Sequence, residues 1–241
     1  MKIPQMMVAC VCLVAVGFLD SCGGGGSTNS SGGCSVGTLD TSTYGVPWNS
    51  SVGYDSLTDC RDGQVYRTVK IGTQTWMAQN LNYKTDSSWC YSESADSCAK
   101  YGRLYQWAAA MDLAAKYNSS SWSGTLPRQG ICPSGWHIPS DAEWTTLEQY
   151  VDSATAGTAL KSASGWVSGN GTDAYGFRIL PSGRRSSGGV FGYIGADAYL
   201  WSASMFFAGA SWYRCYNYAN AYVSIYNAYG AYGFGVRCLK N

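Results

Sequence analysis

The order of hydrophobic patterns along the chain is the feature that most limits its fold. An alternating, β-branched segment at 64–71 and a short return segment at 74–77 predict a strand pair. Helical spacing of apolar residues is confined to the stretches that follow, at about 103–116 and 140–152. Later in the chain we predict short strands at 177–180, 189–194, 199–204, 212–218, 221–226 and 234–239. Strands, two helices and more strands, with no strand–helix–strand alternation, predict an α+β domain.

The second predicted helix has the clearest start signal. Ser140 and Glu143 have the spacing of a capping box, in which the serine oxygen accepts from the Glu143 N–H and the glutamate accepts from the serine N–H. Trp144, Leu147 and Val151 then form one apolar stripe. This pattern predicts a helix that begins at Ser140 and packs by that stripe.

The first 21 residues have the pattern of an export signal. Lys2 supplies a positive charge, and residues 6–19 are apolar but too short to span a bilayer comfortably. The sequence Leu19-Asp20-Ser21-Cys22 resembles a bacterial lipobox, which implies cleavage before Cys22 and attachment of lipid, palmitate included, to that residue. An ordinary signal peptide cleaved nearby is the alternative. We expect an exported lipoprotein, anchored through its lipid to the outer membrane or cell surface.

A Gly/Ser-rich tether, residues 22–58, separates this signal from the predicted domain. Residues 23–33 are almost entirely glycine and serine, a composition typical of a flexible coil. Residues 34–58 are still rich in Ser, Thr and Gly, and we interpret them as an irregular leader that docks on the domain. The folded domain is then predicted at 59–241.

The cysteines support export. Of ten cysteines, Cys10 and Cys12 leave with the signal and Cys22 takes lipid, so seven remain. In an exported protein these are disulfide candidates, and an odd number leaves at least one free or paired outside the chain. Cys90 and Cys98 lie in a polar stretch that predicts a loop, 81–100, and are close enough to form a small ring. The seven are Cys34, Cys60, Cys90, Cys98, Cys132, Cys215 and Cys238.

Composition removes several function classes. The chain has 16 Lys+Arg against 15 Asp+Glu and no basic run, which argues against a nucleic-acid partner. A hydrophobic content of 46% and an aromatic content of 15% argue against disorder over most of the chain. No Cys-x-x-Cys pair is left after signal removal and the one histidine stands alone, which argues against a zinc site.

Several ordered motifs together resemble the Fibrobacter succinogenes major paralogous domain, a likeness that covers residues 59–241. One of them is Cys132-Pro133-Ser134-Gly135-Trp136-His137, and together they occupy 61–72, 74–83, 101–105, 132–141, 200–202 and 236–238. The resemblance implies an exported bacterial protein, often a lipoprotein, of no established activity. It further implies a layout similar to the C-type-lectin-like fold, including its formylglycine-generating branch, with paired terminal strands, two helices and a loop-rich β second half. By the same likeness, Cys132 bridges to Cys238, while Cys34, Cys60 and Cys215 have no assigned partner.

The sequence offers no group in a setting typical of catalysis. His137 has no nucleophile elbow near it, and we interpret it as a structural residue. Asp141 and Glu143 are explained by helix capping, and Asp173 and Asp197 lie in Gly-rich segments where aspartate commonly makes turns. We therefore predict no catalytic residue and a protein that is not an enzyme.

The lectin-like resemblance raises calcium-dependent sugar binding, which the residues do not support. The Glu-Pro-Asn and Trp-Asn-Asp motifs of such lectins are missing, and the comparable stretch at 201–204 carries no carboxylate. A Gly-Asn-Val-Trp-Glu-Trp stretch, typical of the formylglycine-generating branch, is also missing, so that oxidase activity is not implied. We predict no metal and no cofactor.

The remaining feature is the density of aromatic residues between 201 and 232, interleaved with Asn217, Asn220 and Asn227. Aromatic faces with amide neighbours suit pyranose rings, whereas the plain alternative is packing within the sheet. We predict a metal-independent aromatic face that binds glycans, for example plant-cell-wall polysaccharide. A structural or protein-interaction module of the cell envelope is the alternative function. The candidate glycan contacts are Trp212, Tyr213, Tyr216, Tyr218, Tyr222, Tyr226 and Tyr229.

Overall fold

A computed structural model describes residues 37–39 and 42–241 of the protein. The predicted signal peptide, the predicted lipidation site Cys22 and Cys34 lie outside these residues. Within the described part, no helix is both long enough and apolar enough to cross a membrane.

The described chain is a mixed α+β structure, as the sequence predicted. Its helices are α1 (Ala95–Tyr101), α2 (Trp107–Ala110), α3 (Asp141–Tyr150) and α4 (Ala156–Leu160), with 3-10 turns at Tyr91–Glu93 and Ala115–Asn118. The first six strands are β1 (Asp55–Thr58), β2 (Val65–Ile71), β3 (Gln74–Met77), β4 (Ser88–Trp89), β5 (Leu104–Tyr105) and β6 (Trp136–His137). The others are β7 (Ser182–Arg185), β8 (Phe191–Ile194), β9 (Asp197–Phe207), β10 (Ala210–Asn217), β11 (Ser224–Tyr229) and β12 (Leu239–Lys240).

The first large sheet joins the two ends of the domain. Its strand order is β1-β2-β3-β12-β6, and all neighbours are antiparallel. Leu239 of the last strand pairs with Trp76 on one side and with His137 on the other. The C-terminal residues therefore lie inside the sheet that the early strands begin.

The second large sheet has the order β11-β10-β9-β7-β8. Strands β9, β10 and β11 form an antiparallel meander, and β7 joins β9 in parallel through the pair Gly183 and Ala198. Tyr199 and Trp201 of β9 belong to one core cluster, whereas Ala198 belongs to the other. Because a strand alternates its side chains, β9 contributes to hydrophobic cores on both faces of this sheet.

Buried tryptophans connect the sheets and helices. Trp76 and Trp144 pack with ring centroids 4.7 Å apart, between β3 and α3. The indole N–H of Trp107 donates to the Ser202 carbonyl at 2.9 Å, and that of Trp201 donates to the Tyr105 carbonyl at 2.8 Å. These two buried indoles thus each have an acceptor, and their hydrogen bonds fix β9 against β5 and α2.

Two disulfides lie within the described residues, with the pairings expected above. Cys90 and Cys98 close a short ring over α1, and Cys132 and Cys238 join the segment before β6 to the segment before β12. Cys60 is also disulfide-bonded. Cys215 is the free thiol of the described part, and it is buried.

The capping box predicted for α3 is present. Ser140 Oγ accepts from the Glu143 N–H at 3.3 Å, and Glu143 Oε2 accepts from the Ser140 N–H at 2.8 Å. Trp144 and Leu147 are fully buried, and Val151 is nearly so. The helix ends at Tyr150, two residues earlier than expected.

The helix predicted over 103–116 is wrong. Leu104 and Tyr105 form the short strand β5, the helix that follows has only four residues, and Asp112 has a left-handed φ of 51°. Tyr105 exchanges backbone hydrogen bonds with Phe234, so an extended backbone replaces the first predicted turn. Conversely, the predicted loop over 81–100 contains most of α1, and α4 was not expected from the sequence.

Several strand predictions differ from the structure. Residues 177–180 are not a strand: Arg178 has a φ of 53°, and Ile179 forms only one bridge, to Lys161. The strand expected over 234–239 is reduced to Leu239–Lys240, while β1 and β7 were not predicted.

The leader that precedes the predicted domain start packs against it. Val46 is buried, and β1 pairs with β2. Arg178 donates to the carbonyls of Thr43 and Val46 at 3.1 and 2.8 Å, and its guanidinium lies 4.0 Å from the Trp48 ring centroid. One buried arginine therefore holds the leader in place.

Candidate binding site in an aromatic cleft

The seven aromatic candidates do not form one surface. Tyr216 is completely buried in the core cluster beside α3, so the prediction that it contacts glycans is wrong. On β10, Tyr213 and Tyr216 are three residues apart and therefore face opposite sides of the sheet. Tyr213 is half-buried against the other core cluster.

Two further candidates lie in the connection between β10 and β11, outside both strands. Tyr218 and Tyr222 are exposed there, beside the turn that connects these strands. Tyr226 lies directly across from Tyr213 in the strand ladder, with ring centroids 6.0 Å apart. The candidates are thus split between a turn, a core and one face of the sheet.

An open cleft of about 310 Å³ lies beside Tyr213, and neither Tyr226 nor Trp212 lines it. We call it the tyrosine cleft. Two predicted candidates, Tyr213 and Tyr229, line it together with Asn227. Its other aromatic and charged lining residues, which sequence analysis did not single out as candidates, are Arg184, Tyr199, Phe207, Tyr232 and Phe234.

Neighbouring strands build the floor of the tyrosine cleft. Phe234 stacks on Tyr199 at 5.2 Å between centroids and lies 4.7 Å from the Tyr213 ring. Gly233 exchanges two backbone hydrogen bonds with Arg185 on β7, at 2.8 and 2.9 Å. The segment that carries Tyr232 and Phe234 is therefore held against β7, and the cleft lies on a rigid support.

Arg184 enters the cleft from β7. Gly183 just before it has a φ of 64°, and a Cβ there would lie 2.5 Å from the Gly192 carbonyl oxygen of β8. Glycine is therefore required at this close approach of β7 and β8. The Arg184 guanidinium lies over the rings of three tyrosines, at 4.9 Å for Tyr193, 5.6 Å for Tyr199 and 5.2 Å for Tyr232.

Ring contacts connect further aromatic side chains, at the end of β9 and the start of β10, to the cleft through Phe207 and Tyr229. Phe206 packs on Trp212 with centroids 4.5 Å apart, and Phe207 lies 6.0 Å from Tyr229. Phe206, Phe207 and Tyr229 are each about half exposed. We call Phe206, Phe207, Trp212 and Tyr229 the aromatic ridge; Phe207 and Tyr229 belong to both the ridge and the cleft.

The protonation states of the cleft follow from burial. Burial raises the pKa of Tyr213 to about 12. It also raises the pKa of Tyr199, whose Oη donates to Asp197 Oδ2 at 2.7 Å. Burial lowers the pKa of Arg184, but the phenols of Tyr193 and Tyr199 outweigh this effect, so its pKa is raised overall. At neutral pH Tyr199 and Tyr213 are therefore neutral phenols, and Arg184 is a guanidinium cation beside them.

His137 lies in the first sheet and has a structural role there. Its Nδ1 is 2.7 Å from Asn241 Oδ1 and its Nε2 is 3.0 Å from Glu143 Oε1. Burial lowers the pKa of His137, but these two acceptors outweigh it and raise the pKa overall. The histidine thus ties the chain end to the start of α3.

A second cavity, of about 430 Å³, lies between the leader and the segment 98–102. Its two buried arginines are occupied by the protein itself. Arg178 donates to leader carbonyls, and Arg237 donates to Asn80 Oδ1 at 2.9 Å and to the carbonyl of Phe177. These contacts explain both cations without a ligand.

Among the described residues, no group of three or more His, Cys, Asp and Glu side chains is placed to hold a metal ion. A family model described as the Fibrobacter succinogenes major domain matches residues 69–240. No curated protein matches the chain, and no solved structure matches it.

Proposed function

The chain belongs to the Fibrobacter succinogenes major domain family, and on that premise we propose that it is a non-catalytic, glycan-binding protein of the bacterial surface. The tyrosine cleft is the observation that carries this proposal. It combines flat phenol and phenyl faces with the Asn227 amide and the Arg184 guanidinium. Its volume lies at the lower end of the roughly 300–1,000 Å³ range of small-molecule sites.

The cleft suits a sugar ring for a specific chemical reason. A pyranose has an apolar C–H face and a rim of hydroxyl groups, so it needs flat apolar partners flanked by donors and acceptors. Tyr229 is exposed enough to stack, and Asn227 beside it can bond hydroxyls. The aromatic ridge continues this surface and would accommodate further rings of a polysaccharide chain.

We also propose that the layout is C-type-lectin-like. Two features support this proposal: the last strand, β12, pairs with the early strand β3, and the second half of the chain is rich in loops. Export and anchoring at the outer membrane belong to the same proposal, and they rest on the signal pattern and Cys22. Labelling cells with a palmitate analogue tests the anchor: the full chain should carry label, and Cys22→Ser should lose it.

The glycan proposal is tested by retention of the full chain, in detergent, on insoluble plant polysaccharides. Tyr229→Ala should weaken retention about fivefold, because a stacked aromatic ring is worth about 1 kcal/mol. Tyr150→Ala is the matched control, since Tyr150 is 59% exposed against 58% for Tyr229 but lies on α3. Equal retention of both variants, or no retention of the wild type on any polysaccharide, would overturn the proposal.

A protein-interaction module of the envelope is the second candidate. The aromatic ridge favours it, because contiguous exposed apolar side chains often mark protein contacts. If this second function is correct, the wild type is not retained on polysaccharide, and Phe206→Ser abolishes its crosslinking to an envelope protein in intact cells. If the wild type is retained and the Phe206→Ser variant is retained equally well, the aromatic ridge is not the glycan-binding surface.

A further inference from the structure

Arg184 is a cation without an acidic partner. The ion pairs within the described residues involve Arg61, His137 and Arg214, and none involves Arg184. Asp197, an acidic side chain near the cleft floor, is buried, and both of its carboxylate oxygens accept hydrogen bonds from residues other than Arg184. They accept from Tyr199 Oη at 2.7 Å and from Asn217 Nδ2 at 2.6 Å.

The way Arg184 is held leaves its charge available. Ring contacts with Tyr193, Tyr199 and Tyr232 position the guanidinium by attraction to their π faces. Such contacts stabilise a cation without neutralising its charge. The other cleft-lining side chains are phenols, phenyl rings, an amide and two alanine methyl groups, so Arg184 supplies the positive charge of the cleft.

We infer that the tyrosine cleft selects acidic pyranoses, sugars that carry a carboxylate or a sulfate, by binding the anion to Arg184 and the ring face to a neighbouring tyrosine. Guanidinium is the side-chain group whose planar fork matches a carboxylate or sulfate with paired hydrogen bonds. The inference rests on the proposed glycan-binding function and narrows its ligand class. A neutral sugar would leave the cation without a counter-charge.

The test compares polymers that differ only in charge. Binding of the full chain in detergent is measured for polygalacturonate against its methyl ester, and for dextran sulfate against dextran. We expect the wild type to bind one acidic polymer at least about tenfold more tightly than its neutral counterpart, which corresponds to one charge-assisted contact. The preference should shrink as salt is added, because mobile ions screen the pair.

Two variants then assign the preference to one residue. Arg184→Gln should remove the preference for the acidic polymer, and Arg184→Lys should retain only part of that preference because the fork is lost. Arg185→Gln is the control: it is the next residue on β7, but its guanidinium lies over Trp89, at 4.0 Å. A thermal unfolding curve for each variant shows that it is folded.

The outcomes separate this inference from the proposed function. Equal binding of charged and neutral polymers by the wild type would overturn the inference and leave glycan binding intact. Binding to none of the four polymers or other polysaccharides would overturn both. A carboxylate preference and a sulfate preference each support the inference, and they identify the anion. The wild-type comparison stands even if an Arg184 variant fails to fold.

Discussion

Replacing Lys161 with methionine should cost the protein a large part of its stability. The Lys161 ammonium is buried and forms no ion pair with a carboxylate among the described residues. It donates instead to four backbone carbonyls, those of Gly169, Asn217, Tyr218 and Asn220, at 2.9 to 3.3 Å. Three of these carbonyls belong to the end of β10 and the turn after it, so the lysine holds that turn to α4.

The size of the effect follows from what methionine leaves behind. An ammonium has three donors, so at most three of the four contacts are full hydrogen bonds at one time. Each charge-assisted hydrogen bond contributes about 1.5–3 kcal/mol net to stability. Methionine is uncharged, so the variant avoids the desolvation penalty of the buried ammonium, which offsets part of the loss. We therefore expect a loss of about 3–5 kcal/mol in the free energy of unfolding. The melting temperature should fall by about 6–20 °C for a domain of this size.

Urea unfolding followed by tryptophan fluorescence measures this loss for Lys161→Met. Lys70→Met is the control, because Lys70 is exposed on β2 and its replacement should change stability by less than about 0.5 kcal/mol. A loss below about 1 kcal/mol for Lys161→Met would refute the reasoning, since it would mean that water satisfies the four carbonyls equally well.

Three further predictions follow from the other buried groups. Replacing both Cys132 and Cys238 with alanine should lower the free energy of unfolding by about 4–5 kcal/mol in urea titrations, because the bond spans a separation of 106 residues; an unchanged midpoint would contradict this. His137→Gln should cost most stability between pH 4.5 and 6.5, the ordinary pKa values of the two partners. Burial raises the pKa of Glu143, but its bonds to His137 and Ser140 outweigh burial and lower that pKa overall. Below the window Glu143 becomes protonated, and above it His137 loses its proton. The difference in stability between wild type and variant should therefore shrink in both directions. Burial, reinforced by the charge of Asp197, raises the pKa of Cys215 to about 12, so iodoacetamide at pH 8 should leave this thiol unlabelled in the native protein and label it in urea, as located by mass spectrometry; native labelling at the rate of the unfolded chain would contradict its burial.

Local signals in the sequence were sufficient where a few neighbouring residues decide the structure. The capping box at Ser140 needs only Glu143 three residues later, and it was predicted correctly. The helix prediction for 103–116 failed because the apolar spacing there fits a helix, whereas a residue distant in sequence determines the local backbone. Phe234 exchanges backbone hydrogen bonds with Tyr105 and holds that residue in an extended conformation.

The site was predictable in part for the same reason. Aromatic density identified Tyr213 and Tyr229, which line the cleft, but could not exclude Tyr216. Alternation along β10 places Tyr213 and Tyr216 on opposite faces, yet it does not say which face opens to solvent. Arg184 reaches the cleft through the parallel pairing of β7 with β9, and nothing in its local sequence indicates that contact.

Fluorine NMR of the full chain labelled with 3-fluorotyrosine tests the tyrosine cleft most directly. Fragments of a polysaccharide that the protein retains are titrated into the labelled protein, and resonances are assigned by single Tyr→Phe changes. We predict saturable shifts at Tyr213, Tyr229 and Tyr232, and none at Tyr150 on α3. Shifts confined to Tyr218 and Tyr222, or spread equally over all exposed tyrosines including Tyr150, would contradict a glycan site in the cleft.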